Sequence, residues 1–75
     1  MGFTVEHQNK ISQMKQYFNS VGLPADKYSF VNYGDSDLWV CTYIDWDNYF
    51  TQEIKNKITD FGVKYDPRPR VIKNN

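Results

Sequence analysis

The sequence predicts a small single-domain α+β fold, on three features. Apolar residues recur at helical spacing in two stretches, two runs rich in aromatic and β-branched residues flank a polar tetrapeptide, and glycine, proline or aspartate separates the segments. The expected element order is α-β-β-α-β. The expected sheet is three-stranded and mainly antiparallel, in the order 2-1-3, with both helices on one face; the competing arrangement sets the third strand beside the second in a parallel crossover, order 1-2-3.

The first helix follows from Ile11, Met14, Phe18 and Val21, spaced three and four apart and widened by Tyr17. Thr4 can cap its start, and Gly22 followed by Pro24 stops it. Strand character then appears at residues 28–33 and 38–44, with Gly34-Asp35-Ser36-Asp37 between them as a hairpin turn. A second helix is expected from Trp46 to Phe61, capped by Asp45 or Asp47, with Phe50, Ile54, Ile58 and Phe61 on one face and Gly62 at its end. Val63, Lys64 and Tyr65 alternate like a strand. Pro67 and Pro69 remove two amide donors, which confines the last segment to a sheet edge or releases residues 66–75 as an extended basic tail, with Val71 and Ile72 able to resume pairing. Phe18, Phe30, Val40, Ile54 and Ile58 are the expected core.

With 75 residues, one core is the sensible count. Thirteen aromatic residues change the meaning of a modest 40% hydrophobic content, since each ring can bury roughly 150 to 250 Å². A domain this small has a margin of about 3 to 5 kcal/mol, so a stabilising partner or a homodimer is compatible with its size. No apolar run is long enough for a membrane span and no signal peptide is evident, which points to a cytoplasmic protein. The single Cys41, within an apolar strand, agrees, and is expected to be a buried core thiol.

The formal net charge is zero, but the charges are unevenly distributed. Residues 26–60 are acidic, with Asp26, Asp35, Asp37, Asp45, Asp47, Glu53 and Asp60 against Lys27, Lys55 and Lys57. From residue 61 onward Lys64, Arg68, Arg70 and Lys73 face Asp66.

Catalytic and metal chemistry find little support. One histidine and one cysteine cannot build a structural zinc site in a monomer. The Asp35/Asp37 and Asp45/Asp47 pairs suit a turn and a helix cap, since neither continues into a calcium loop. His7 extends the stripe of the first helix and suits a rim position better than a general base, and no glycine-rich phosphate loop occurs. No enzyme activity, metal or cofactor is therefore expected.

The feature above background lies on the hairpin. In the second strand Leu38, Val40 and Ile44 point one way and Trp39, Cys41 and Tyr43 the other, so a sheet covered on one face leaves apolar and aromatic groups on the second. The expected function is a small non-enzymatic protein-interaction module, an inhibitor or adaptor of viral or mobile-element type. Its partner would dock on Tyr33, Trp39, Tyr43 and Trp46 inside an acidic rim that includes Asp35 and Asp37. The alternative is a single-stranded nucleic-acid binder using the same aromatics with Lys64, Tyr65, Arg68, Arg70 and Lys73.

Overall fold

The computed structural model describes residues 3–34 and 36–71. Helix α1 spans Val5–Ser20; a 3-10 turn, Ala25–Lys27, leads into strand β1, Tyr28–Val31, which is followed by β2, Trp39–Thr42. A 3-10 segment, Ile44–Tyr49, precedes helix α2, Gln52–Asp60, and strand β3 is Lys64–Tyr65. No helix among the described residues is long and apolar enough to cross a membrane.

Helix α1 starts where Thr4 caps it. Thr4 Oγ1 accepts from the His7 amide at 3.0 Å, and His7 Nδ1 accepts from the Thr4 amide at 3.5 Å, so two otherwise unpaired donors are satisfied reciprocally. His7 Nε2 lies 2.9 Å from the Ser36 carbonyl, and with Nδ1 accepting, the ring donates there through Nε2–H. The imidazole thereby ties the start of α1 to the loop before β2, a rim position as expected.

Both helices end alike. Gly22 (φ 85°) and Gly62 (φ 78°) adopt the left-handed conformation that residues with a Cβ resist. Leu23 then donates to Phe18 O and Val63 to Ile58 O, which closes two Schellman turns and delivers Leu23 and Val63 into the core. Val21, expected on the apolar stripe of α1, is instead the helix C-cap and 45% exposed.

The second helix is shorter than the sequence suggested. Trp46 and both candidate caps, Asp45 and Asp47, fall in the 3-10 segment, and α2 begins only after Thr51, whose Oγ1 accepts from the Ile54 amide. Thr51 supplies the N-cap that the aspartates were expected to supply.

Strand β1 pairs antiparallel with β2, with Ser29 opposite Cys41 and Phe30 opposite Val40. Strand β3 runs parallel to β2, with Tyr65 opposite Val40. The α+β class holds, and the sheet is mixed, in the order β1-β2-β3. This is the crossover arrangement rather than the order 2-1-3. Helix α2 returns the chain to the start of β2, the Lys64 amide donates to Leu38 O and the Asp66 amide to Val40 O, and the most apolar strand becomes central.

The helices share one face. Met14 and Phe18 from α1 and Ile54 and Ile58 from α2 join Tyr28, Val40, Phe50 and Val63 in one cluster. Phe18 is its centre, with ring centroids 4.5 Å from Tyr28 and 5.8 Å from Phe50. Of the five residues expected in the core, Phe30 departs: it is half-buried and packs against the edge of the cluster.

Candidate protein-binding face

With Tyr28, Val40 and Tyr65 directed at the helices, strand alternation sends Ser29, Val31, Trp39, Cys41 and Lys64 to the opposite face. The buried residues of α1 and α2 do not reach this face; what lies against it is the chain after β3.

That chain, expected as an edge or a free basic tail, is docked as far as Arg70. It leaves the ladder at Asp66, makes an excursion through Pro67, Arg68 and Pro69, and rejoins beside Tyr43, where the Arg70 amide donates to Thr42 O and the Ile44 amide to Arg70 O. The prolines fall where the ladder needs no donor. Residues 72–75, including the expected strand resumption at Ile72, lie outside the described residues.

Asp66 organises the excursion. Its buried carboxylate accepts from the Arg68 amide (2.9 Å), from Arg68 Nε (3.1 Å) and Nη2 (3.2 Å), and from the Tyr33 hydroxyl (2.5 Å). The Arg68 side chain first, then Tyr33 and the Arg68 amide, hold the Asp66 carboxyl well below the usual carboxylate range, against the opposing effect of burial. The bond to Asp66 in turn raises the Tyr33 phenol, which loses a favourable contact on ionising.

Tyr33 and Trp39 meet edge to face, with ring centroids 5.6 Å apart. A cation lies over each ring: Arg68 is 5.8 Å from the centroid of Tyr33, and Lys64 is 5.3 Å from that of Trp39. Lys64 also pairs with Asp37 at 2.8 Å. Tyr33 remains 49% exposed and Trp39 half-buried. The Trp39 indole N–H is shielded from solvent and has no acceptor among the described residues.

Three expected partner-contacting residues thus lie together, and a fourth shares their face. Tyr33, Trp39 and Asp37 form the network, and Tyr43 follows on the same face beside Arg70. Trp46 does not join them: it packs against the core, meets Tyr49 in a tilted ring contact at 4.2 Å and lies under Lys27. Asp35 lies outside the described residues.

Of the residues assigned to the nucleic-acid alternative, Lys64, Arg68 and Arg70 share this face, with Arg70 Nε 2.9 Å from Cys41 Sγ. Tyr65 turns to the helices, packs on Phe50 and carries Lys55 over its ring; burial, followed by the charge of Asp47, pushes its phenol up to about 12. Lys73 lies outside the described residues. The rim is therefore mixed in charge, with Lys64 and Arg68 compensated by Asp37 and Asp66.

Sequence reasoning missed Asp66 and Arg70 as organisers of the face. The signal for Asp66 was present: Asp-Pro-Arg is a turn-initiating triplet whose aspartate can accept from the amide two residues on. Comparison with known proteins returns no matching family model, no matching characterised protein and no matching solved structure.

Proposed function

We propose that the protein is a small, non-enzymatic protein-interaction module that docks a partner on the Tyr33–Trp39 face, acting as an inhibitor or adaptor of the kind that compact viral or mobile-element genomes encode. One observation carries this reading. Two aromatic rings stand edge to face on the side of the sheet away from the helices, ringed by charges that are already paired. Aromatic anchors inside a polar rim match the anatomy of protein interfaces, where desolvated rings supply affinity and peripheral charges set orientation.

The same geometry disfavours the nucleic-acid alternative. Base stacking on the ring faces that Lys64 and Arg68 cover would require displacing a cation from Trp39 or Tyr33. Phosphate binding needs uncompensated cations, whereas these two are held by Asp37 and Asp66. The test is affinity capture with wild type and Trp39→Ala, followed by calorimetry with the purified captured protein. Trp39→Ala should cost about 2 kcal/mol or more of binding free energy, with far-ultraviolet circular dichroism unchanged. Lys64→Glu, an exposed substitution on the same rim, provides a second variant. Undiminished binding by both variants would remove the face from the interaction.

A further inference from the structure

The two edges of the sheet are built differently. Strand β3 presents Lys64 and is followed by Pro67 and Pro69, features that discourage another strand from pairing. Strand β1, Tyr-Ser-Phe-Val, carries neither a charge nor a proline. The Tyr43 amide donates to Lys27 O, and the register makes Ser29–Cys41 and Val31–Trp39 the following hydrogen-bonded pairs. The amides and carbonyls of Tyr28 and Phe30 therefore point away from β2, to an edge on which no strand pairs among the described residues.

Beside that edge lies a hollow of about 380 Å³ between β1 and α1, lined by Phe3, Ile11, Tyr28 and Phe30, with Ala25 and Lys15 toward one end. Lys15 is exposed and makes no ion pair among the described residues. Helix α1 runs antiparallel to β1, since the chain turns at Leu23 and Pro24 into β1 while His7, at the start of α1, reaches Ser36 beyond the end of β1. Ile11 and Lys15 are one helical turn apart, roughly 6 Å along the axis. Two residues of an extended chain span about 6.6 Å and point their side chains the same way.

We infer that the β1 edge and the groove beside it form a second docking site, distinct from the Tyr33–Trp39 face. Its occupant is an extended acidic peptide segment that adds a fourth strand antiparallel to β1. An apolar side chain fills the hollow against Phe3, Ile11 and Phe30, and an aspartate or glutamate two residues later meets Lys15. The outward amides and carbonyls of Tyr28 and Phe30 supply the ladder, and the spacing supplies the specificity.

A display library of short random peptides, selected on the full chain, tests this site. The expected result is enrichment of an apolar residue two positions before Asp or Glu. A synthetic, terminally blocked selected peptide should then lose about tenfold in affinity on Lys15→Glu, a change of about 1.4 kcal/mol, and should regain it when its acid is replaced by lysine. N-methylation of the peptide amides that face β1 should abolish binding, whereas methylation of the alternate amides should not. Trp39→Ala should leave peptide affinity unchanged, which separates this site from the proposed face. Absence of a consensus, indifference to Lys15→Glu, tolerance of methylation at both sets of amides, or loss of binding on folded Trp39→Ala would each overturn the inference. So would a concentration-dependent dimer in sedimentation that the selected peptide fails to dissociate, since a second copy of the chain would then hold the edge.

Discussion

The Tyr33 hydroxyl donates to the carboxylate of Asp66, 33 residues later in the chain, and thereby fastens the loop after β1 to the segment after β3 across the open face of the sheet. The same carboxylate receives Arg68 through its amide and its guanidinium. One buried acid therefore holds both Tyr33, which forms half of the aromatic pair, and Arg68, which lies over it.

This arrangement makes stability sensitive to acid. The Asp66 carboxyl lies below its usual range in the folded chain, against about 3.9 when unfolded, so the unfolded state binds the proton more readily. The stabilisation is complete above about pH 4 and is lost as pH falls further, toward the folded-state value. Asp66→Asn should cost about 1 to 3 kcal/mol at neutral pH and flatten the decline in stability below pH 4. Urea melts at a series of pH values check this; wild-type and variant curves that stay parallel would remove Asp66 as the source.

A second prediction concerns α2, the helix the sequence placed too early. Ile58 is fully buried, so Ile58→Ala should cost about 2 to 5 kcal/mol. Thr51→Ala should cost about 1 kcal/mol through loss of the cap, whereas Asp47→Ala should leave the start of the helix unchanged. Equal losses for the two cap candidates in thermal melts would contradict the observed boundary.

The apolar period of three and four identified both helices, because the buried positions of each face one cluster. The true start of α2 was obscured because Trp46 and Tyr49 continue an aromatic pattern through a 3-10 segment. The hairpin was evident from its β-branched and aromatic residues. The choice between β1 and β2 as the neighbour of β3 was not, since it rests on a long-range ladder that local propensity does not encode. At the candidate face, Tyr33, Asp37 and Trp39 could be named from alternation and turn chemistry. Their compensation by Lys64 and Arg68 could not, because those partners come from a segment brought over only when β3 pairs with β2.

Cys41 provides a third prediction. It is 1% exposed beneath Arg70, whose Nε lies 2.9 Å from the sulfur, with Ser29 Oγ at 3.3 Å. Thiol reagents should label the native protein slowly and the denatured protein quickly, and Arg70→Ala should accelerate native labelling by uncovering the sulfur. Rapid labelling of the native wild type would show that the segment around Arg70 does not protect the face in solution.

The proposed binding of a protein at the Tyr33–Trp39 face is tested by one comparative capture experiment. Tagged wild type, Trp39→Ala and Lys64→Glu are each incubated with native lysate treated with nuclease, and the retained proteins are quantified by mass spectrometry. The expected result is a protein retained by wild type in the presence of nuclease and depleted about tenfold or more on Trp39→Ala, the equivalent of a hot-spot loss. Capture that disappears with nuclease, or that Trp39→Ala and Lys64→Glu both leave intact, would contradict the claim.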